Sequence, residues 1–242
     1  MTKALILAAG LGSRLEKNTK NIPKALVKVN GKPILDYQLN ALKNQKIENL
    51  VIVLGYHGHL IRDYIKNNFF DNFNVQFVSN DIYDKSNSSY SFWLAKNFLA
   101  NQDYIHLNCD IIFSDKLLNR VINSKFANII TTRSDLELKD QMENVIIQDS
   151  RIINMSLKNT PDANGKAFGL AKFSPLSTSL LIKKLSYFIN KNDLNQNYYG
   201  MIRSACKEID YFACESSEDN ILEVNTVEDL KKAEQLLKTK FN

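Results

Sequence analysis

"KALILAAGLGSRL", residues 3–15, joins a continuous aliphatic run to a loop that contains two glycines. The run over 3–9 predicts a strand that is buried on both faces. The loop contributes Gly10, Gly12 and Arg14. Glycines let backbone N–H groups come close to phosphate oxygens, and the arginine adds a planar, permanently charged donor. The stretch therefore predicts a first strand that ends in an anion-binding loop.

Segments typical of strands and helices alternate along the chain as far as about residue 132. Apolar residues at helical spacing predict helices over 33–47, 59–69 and 89–100, and strand patterns occupy 49–56, 74–80, 103–113 and 127–132. This order requires crossover connections, so the predicted fold class is α/β, with a Rossmann-like, mostly parallel sheet flanked by helices. Ligands of such sheets bind beyond the carboxyl ends of the strands. The glycine loop and Asp110 are expected at that edge.

The pattern changes after residue 133, where a hairpin, a strand and a helix are predicted in place of the alternation. They occupy 143–158, 166–175 and 177–189. Residues 226–239 predict an amphipathic closing helix, with Thr226 as its N-cap and Asp229 three residues later. No linker-like composition and no internal repeat is found in the sequence. We therefore expect a single domain, 1–242, with a small inserted sub-lobe.

The composition is that of an ordinary globular protein, with 44% hydrophobic residues and a formal net charge of +5. Lysines and arginines are scattered, so no nucleic acid is expected as a partner. Cys109, Cys206 and Cys214 lack the spacing of a metal site and predict free thiols. The apolar start is too short for a signal peptide and no stretch has the length of a membrane span, which predicts a cytoplasmic protein without membrane contact. The sequence leaves monomer and homodimer open. The histidines are expected at the surface or the rim of the site: His57, His59 and His106.

Three kinds of nucleotide loop can be compared with residues 10–15. A dinucleotide-binding fingerprint needs a third glycine where the chain has Leu15. A P-loop needs Gly-Lys followed by Ser or Thr, which "GSRL" does not supply. The third kind is a backbone nest in which Arg14 and Lys24 hold a triphosphate from two sides. The alternative to all three is a glycine-rich turn with surface cations.

"LAAGLGSRL" (7–15) followed by "PKALVKVNGKPIL" (23–35) resembles the signature of nucleotidyltransferases that activate sugar phosphates and other small phosphorylated molecules. Three further stretches resemble the small-molecule cytidylyltransferases of the choline-phosphate and phosphoglutamine type: "NDIYDKSNSSYSFWLAK" (80–96), "YIHLNCDIIF" (104–113) and "ILEVNTVEDLKKAE" (221–234). The resemblance implies a Mg²⁺-dependent enzyme that transfers CMP from CTP to a small phosphorylated acceptor and releases pyrophosphate. It also implies a nucleotide-binding core at 1–132, an acceptor-binding lobe at 133–220, and a metal-ligand strand with a closing helix at 221–242.

The resemblance further implies roles for individual residues. Lys24 and Arg14 would act in catalysis, with Lys24 bridging the α-phosphate and the acceptor phosphate. Contacts to the nucleotide are implied for a group of small and polar residues: Leu7, Ala8, Ala9, Gly10, Gly12, Ser13, Asn87 and Ser88. Asp110 matches the metal-binding aspartate, and Glu223 is the expected second ligand. Asn225 is a further possible ligand, at a position where the choline type carries an aspartate.

Several alternatives stay open at the level of sequence. Asn87 is equally suited to capping the helix over 89–100. Acceptor contacts are expected from Arg133, Lys172 and Tyr198, although ordinary packing also explains the tyrosine. Cations are abundant in the second half of the chain, which predicts an acceptor with a carboxylate or other polar head. Phosphoglutamine fits this expectation better than phosphocholine, and the product would serve modification of a capsule or cell-surface polysaccharide. A sugar-1-phosphate nucleotidyltransferase using UTP or dTTP, and a non-catalytic nucleotide-binding module, are the alternative functions.

Overall fold

The computed structural model describes residues 2–218 and 220–240. Thirteen strands are found in these ranges: β1 Lys3–Ala8, β2 Lys28–Val29, β3 Lys32–Pro33, β4 Asn49–Leu54, β5 Asn74–Ser79, β6 Tyr104–Asn108, β7 Ile111–Phe113, β8 Ile129–Arg133, β9 Asn144–Gln148, β10 Arg151–Ser156, β11 Gly165–Phe173, β12 Tyr211–Ser216 and β13 Ile221–Glu223. The α-helices in the same ranges are α1 Ile34–Asn44, α2 Gly58–Asn68, α3 Ser88–Leu94, α4 Lys96–Leu99, α5 Asp115–Ile122, α6 Pro175–Asn190, α7 Tyr198–Ala205 and α8 Val227–Lys240. Short 3₁₀ helices cover Ser13–Thr19 and Lys24–Leu26.

Nine strands form one sheet in the order β5-β4-β1-β6-β11-β8-β12-β10-β9. The first four are parallel neighbours, as alternating strands and helices require. β11 then pairs antiparallel with both β6 and β8, while β12 is parallel to β8. The predicted α/β class is therefore confirmed, and the parallel arrangement belongs mainly to the first half of the sheet.

Side chains of β1 alternate between two cores, one on each face of the sheet. Ile6 lies in a cluster with Leu39 of α1 and Leu118 of α5, whereas Leu5 lies in a cluster with Phe92 of α3. All five side chains are fully buried. Burial of each such side chain contributes about 1.5–3 kcal/mol. The two cores thus hold β1 at the centre of the sheet and fix the place where the glycine loop begins.

The strand predicted over 103–113 is divided in the structure. β6 ends at Asn108, the chain turns over the next two residues, and β7 leaves the main sheet to pair with β13. The Val224 N–H donates to the Asp110 carbonyl oxygen at 2.8 Å, which extends this pairing by one step. The division places Asp110 in the turn after the β6 carboxyl end and brings the segment 221–225 beside it.

Other predicted elements are found within a few residues of their expected places. The predicted hairpin is β9–β10, and its turn residues Asp149 and Ser150 have φ of 47° and 65°. The helix predicted over 89–100 is divided at Ala95 into α3 and α4. Helices α5 and α7 and strand β12 lie in stretches for which the sequence predicted no element.

The start of α8 has the predicted capping arrangement. Thr226 Oγ1 accepts from the Asp229 N–H at 3.1 Å, and Asp229 Oδ2 accepts from the Thr226 N–H at 2.8 Å. Asp229 Oδ2 also accepts from the Asn225 N–H at 3.0 Å. The cap therefore fixes the backbone of Asn225 as well as the helix.

Cys109, Cys206 and Cys214 are free thiols, as predicted. Burial raises the pKa of Cys109 to about 12 and that of Cys206 to about 11, so both thiols are protonated at neutral pH. Within the described part of the chain, no helix combines the length and the apolar character needed to cross a membrane.

Candidate active site

The glycine loop turns sharply away from the end of β1. Gly12 has φ 65°, in the left-handed region that glycine adopts without strain. Its carbonyl oxygen accepts from the Leu15 N–H at 3.0 Å and from Thr19 Oγ1 at 2.9 Å, which closes the 3₁₀ turn. Gly10 is exposed, and a Cβ built there would meet nothing within 4 Å. The loop is thus internally braced at Gly12 and open to a ligand at Gly10.

Four side chains from three separate segments converge beside this loop. Lys24 Nζ donates to Asp110 Oδ2 at 2.7 Å and to Asn225 Oδ1 at 2.8 Å, and Arg14 Nη2 donates to the same Asn225 oxygen at 2.6 Å. Lys24 is only 8% exposed, so this cation is largely shielded from solvent. The lysine is held by its two oxygen partners in the floor of the site.

The loop borders a cavity of about 400 Å³, called here the loop cavity. Seven of the residues expected to contact a nucleotide line it: Leu7, Ala9, Gly10, Gly12, Ser13, Asn87 and Ser88. Ala8 belongs to the core on the other face of the sheet and is not among the lining residues. Arg14, Lys24, Asp110 and Asn225 complete one end of the cavity.

Asn87 and Ser88 connect α3 to the segment that precedes α7. Asn87 Oδ1 accepts from the Ser88 N–H at 2.7 Å and its Nδ2 donates to the Asn195 carbonyl oxygen at 3.3 Å. Ser88 Oγ accepts from the Tyr198 N–H at 2.9 Å. Asn87 therefore adopts the helix-capping position that the sequence had left as an alternative, and it does so on the wall of the loop cavity.

A second cavity of about 590 Å³, called here the ion-pair cavity, adjoins the first. Lys166 Nζ pairs with Glu223 Oε2 at 2.5 Å in its wall, and Arg203 Nη1 pairs with the lining residue Glu143 at 2.5 Å. Burial raises the pKa of Glu143, although Arg203 and Lys166 oppose this shift. The Lys166 ammonium also lies 4.1 Å from the centre of the Phe168 ring. Paired charges from distant parts of the chain thus form this wall.

The expected acceptor residues are placed differently from one another. Arg133 lines the ion-pair cavity and binds Asp135 with Nε at 2.7 Å. Lys172 does not belong here: its ammonium donates to the carbonyl oxygens of residues 122 and 124, at 3.2 and 2.9 Å. It lies at the far end of β11, and β11 runs antiparallel to β6, so that end is at the opposite edge of the sheet. Tyr198 is 1% exposed and borders the loop cavity, not the ion-pair cavity, while its hydroxyl pairs with Tyr104 in the core. Lys166, at the other end of β11, lines the ion-pair cavity and was not among the residues predicted from the sequence.

The oxygen atoms around Lys24 decide whether Mg²⁺ suits this site. Asp110 Oδ1 is buried and has no hydrogen-bond partner among the described residues, whereas Asn225 Oδ1 already accepts from two cations. Glu223, the expected second ligand, lines the ion-pair cavity, and its Oε2 is paired with Lys166. Mg²⁺ binds through one or two carboxylates together with phosphate oxygens and water. The uncommitted oxygen of Asp110 fits that requirement as a single protein ligand.

His106 is fully buried, so the expectation that all histidines lie at the surface or rim was wrong for this one. Its ring stacks on Tyr198 with centroids 4.3 Å apart, and burial lowers its pKa to about 4. Its Nε2 lies 3.0 Å from Asn108 Oδ1. His59 is exposed at the start of α2, as expected. The neutral ring of His106 thus supports a polar side chain beneath both cavities.

Comparison with protein families identifies the chain. The profile described as "MobA-like NTP transferase domain" matches residues 4–150, more than half of the sequence. The chain belongs to this family. In this MobA-like transferase, the matched residues include the glycine loop, Lys24 and Asp110. Lys166 and Glu223 of the ion-pair cavity lie outside the match.

Individual relatives extend the likeness over the whole chain. The choline-phosphate cytidylyltransferase of Streptococcus pneumoniae (strain ATCC BAA-255 / R6) is 30% identical over 251 residues, which cover 98% of each chain. The CTP:phosphoglutamine cytidylyltransferase of Campylobacter jejuni is 35% identical over 127 residues, which cover 50% of this chain and 49% of the relative. A solved structure of the CTP:phosphocholine cytidylyltransferase from Streptococcus pneumoniae has a TM-score of 0.78 at 26% identity, covering 98% of this chain and 99% of that one. The nucleotidyltransferase fold therefore includes both cavities.

Proposed function

We propose that the protein is a cytidylyltransferase that transfers CMP from CTP to a small phosphorylated acceptor and releases pyrophosphate. The observation that carries the proposal is the Lys24 ammonium, held by Asp110 and Asn225, two residues that line both cavities. A nucleotide in the loop cavity and an acceptor in the ion-pair cavity would bring their phosphates together at this cation. A non-catalytic binding module has no need for such a junction.

The reaction is an in-line displacement at the α-phosphorus of the nucleotide. An oxygen of the acceptor phosphate bonds to this phosphorus while the bond to the bridging oxygen of the β-phosphate breaks. The acceptor phosphate is already an anion, so a general base is not required. Catalysis then rests on positioning and on neutralising charge. Lys24 and Arg14 supply fixed cations, and the backbone N–H groups of the loop donate to the β- and γ-phosphates.

We also propose Mg²⁺ as the cofactor. Asp110 Oδ1, which has no partner among the described residues, would hold it together with oxygens of the nucleotide phosphates. The ion supplies additional neutralisation of phosphate charge when bound. Asn225, which carries no charge, uses its oxygen to orient Lys24 and Arg14 instead. Omission of Mg²⁺ from an otherwise complete assay should abolish pyrophosphate release.

CTP is proposed because the choline-phosphate and phosphoglutamine relatives are cytidylyltransferases by name. The carboxamide of Asn87 is engaged in its cap, whereas Ser88 Oγ accepts one bond and keeps its O–H as a donor for the acceptor atoms of cytosine. Initial rates with CTP, UTP and dTTP test this choice. We expect kcat/KM to be at least about tenfold higher for CTP. Equal rates with UTP or dTTP would support a sugar-1-phosphate nucleotidyltransferase instead.

For the acceptor, we propose a head group that carries a carboxylate, as phosphoglutamine does. A quaternary ammonium is bound best over a free aromatic face. The Phe168 face in the ion-pair cavity is covered by the Lys166 ammonium, which suits a carboxylate and opposes a second cation. A phosphocholine-like acceptor therefore fits less well. The activated product would serve modification of a capsule or cell-surface polysaccharide, made in the cytoplasm.

A panel of acceptors tests both the reaction and the head group. Purified protein with CTP and Mg²⁺ is mixed with phosphoglutamine, phosphocholine, aminoethylphosphonate or a sugar 1-phosphate, and pyrophosphate and the CMP-linked product are measured. Release of pyrophosphate with none of them would contradict the proposed function. Turnover with phosphocholine only would contradict the carboxylate.

Lys166 and Lys172 provide a matched pair on one strand. Lys166→Met should lower kcat/KM for the carboxylate-bearing acceptor about tenfold to a hundredfold, because one charge-assisted contact is lost. Lys172→Met, at the opposite edge of the sheet, should leave kcat/KM unchanged. Equal losses in both variants would show that the acceptor does not reach Lys166.

A further inference from the structure

Six residues of the described chain line both cavities, and they mark the place where the two substrates meet: Arg14, Asn108, Asp110, Asn197, Tyr199 and Asn225. Asn197 is committed to capping α7, since its Oδ1 accepts from the Tyr199 and Gly200 N–H groups. Tyr199 donates its hydroxyl to the Phe168 carbonyl oxygen. Asn108, Asn197 and Asn225 each present a carboxamide Nδ2 with no partner among the described residues, and Asn108 is the one whose carboxamide neither caps a helix nor accepts from the cations of the site.

Asn108 is held from three directions, one on its backbone and two on its side chain. Gln38 Nε2 donates to its backbone carbonyl oxygen at 2.7 Å, and His106 Nε2 lies 3.0 Å from its Oδ1. Leu107 pairs with Leu170, so the antiparallel register places Asn108 opposite Gly169. A Cβ built on Gly169 would lie 2.4 Å from Asn108 Cγ and Nδ2. Glycine at 169 therefore leaves the space that the carboxamide occupies.

The hydrogen bond with His106 determines which atom of the Asn108 carboxamide remains available to a ligand. An amide oxygen only accepts, so His106 Nε2 must carry the proton and donate to Asn108 Oδ1. The ring is uncharged at neutral pH, because burial lowers its pKa to about 4. Asn108 Nδ2 then keeps two N–H donors, with no partner for them among the described residues.

We propose that Asn108 is a further catalytic residue, which donates from Nδ2 to the phosphate oxygens at the junction of the two cavities, and that His106 is the residue that positions it. This inference rests on the proposed function. In the step, the acceptor oxygen bonds to the α-phosphorus, the bond to the bridging oxygen breaks, and pyrophosphate leaves with the electron pair. Asn108 gains and loses no proton. Its two N–H donors stabilise the negative charge that builds up on the equatorial oxygens of the α-phosphorus.

The test uses the full chain with its best nucleotide and acceptor. Asn108→Ala should lower kcat about a hundredfold, while KM for the nucleotide changes less than about threefold, because the contact strengthens in the transition state. Asn108→Ser, which keeps one donor, should have a kcat about tenfold higher than that of Asn108→Ala. Asn119→Ala, an asparagine on the exposed surface of α5, is the control and should keep wild-type kcat.

His106→Phe separates positioning from packing. The ring still stacks on Tyr198 but cannot donate to Asn108, so kcat should fall about tenfold in the wild-type background and not at all in the Asn108→Ala background. A purely structural role would instead reduce the melting temperature and leave kcat per folded molecule unchanged in each variant. Wild-type kcat in Asn108→Ala or Asn108→Ser, or losses that multiply in the double variant, would overturn the inference. Wild-type protein without turnover on any substrate pair would instead contradict the proposed function, and the inference with it.

Discussion

The loop cavity and the ion-pair cavity share one boundary and differ in how their walls are held in place. The part of the loop cavity beside the end of β1 is one short contiguous stretch, 9–14, that follows a strand buried on both faces, although other lining residues come from segments as distant as 197–199 and 225. The ion-pair cavity depends on Lys166 with Glu223, 57 residues apart, and on a second ion pair of similar separation. The glycine loop, the proposed phosphate-binding wall, is thus specified locally, whereas the wall of the ion-pair cavity is specified by contacts between distant segments.

The largest effect is expected at Lys24, where the two sides meet. Lys24→Met should lower kcat about 1000-fold, because the fixed cation at the reacting phosphates is lost. It should also cost about 1–3 kcal/mol of unfolding free energy, since Asp110 and Asn225 lose a buried donor. Pyrophosphate release and urea unfolding measure both effects. Lys28→Met, on an exposed lysine, is the control, and more than a tenth of wild-type kcat in Lys24→Met would contradict the assignment.

Arg203→Met should affect only the ion-pair side. The substitution leaves the Glu143 carboxylate desolvated and without its partner, which should reduce the free energy of unfolding by about 2–3 kcal/mol. This loss is smaller than for a fully buried ion pair because both side chains are partly exposed. The double variant Glu143→Gln, Arg203→Met should recover most of this loss in urea unfolding. KM for the acceptor should rise and KM for the nucleotide should not. A rise in both would mean that the two cavities are not independent.

The burial of His106 beneath the two cavities predicts how the free energy of unfolding depends on pH. The pKa of His106 is about 4 in the folded chain, whereas an ordinary histidine, as in the unfolded chain, has a pKa of 6.5. Between these pH values the unfolded chain binds a proton at this residue and the folded chain does not. Wild-type stability should therefore fall as the pH drops through this window, by up to about 3 kcal/mol from this residue. His106→Phe removes this contribution. Urea unfolding from pH 7 to pH 4 should show a shallower decrease for the variant, and equal slopes would contradict the buried neutral ring.

Substitutions of Gly10 and Gly12 separate the contact of the loop with a nucleotide from its own backbone conformation. Gly10→Ala places a methyl group in open space, so the melting temperature should not change, while KM for CTP should rise about tenfold if phosphate approaches here. Gly12→Ala should instead destabilise the fold by about 1–2 kcal/mol, because its φ is 65°. Thermal melts and nucleotide KM values distinguish the two variants. An unchanged KM in Gly10→Ala would place the phosphates elsewhere.

The smallest effect is expected at the cap of α8. Thr226→Ala should reduce the free energy of unfolding by about 1 kcal/mol, because the Asp229 N–H loses its acceptor. Thr226→Ser keeps the hydroxyl and should retain wild-type stability in the same urea titration. A large loss of activity in Thr226→Ala would mean that the cap, beyond stabilising α8, controls the position of Asn225.

Sequence reasoning succeeded where the signal is local and failed where it depends on strand direction. The strand 3–9, the hairpin over 143–158 and the cap at Thr226 were all predicted, because each depends on neighbouring residues. Lys172 and Lys166 have the same charge and lie on the same strand, so the sequence could not separate them. The antiparallel pairing of β11 with β6 places the start of β11, not its end, at the edge where the glycine loop lies.

Other differences between the predictions and the structure arise from which side chains are buried. Tyr198 and His106 have side chains that serve equally well in a site or in a core, and only the packing of α7 against the sheet places both in the core. The division of 103–113 into β6 and β7 was also hidden, since the second part is apolar and continues the strand pattern. The sequence alone determined the α/β class and predicted an anion-binding loop with Arg14 and Lys24 beside it, because these depend on short-range periodicity and on backbone freedom at glycine. The tertiary structure decided which charges pair, which are buried and which side chains meet at Lys24, because those contacts join segments brought together only when the sheet forms.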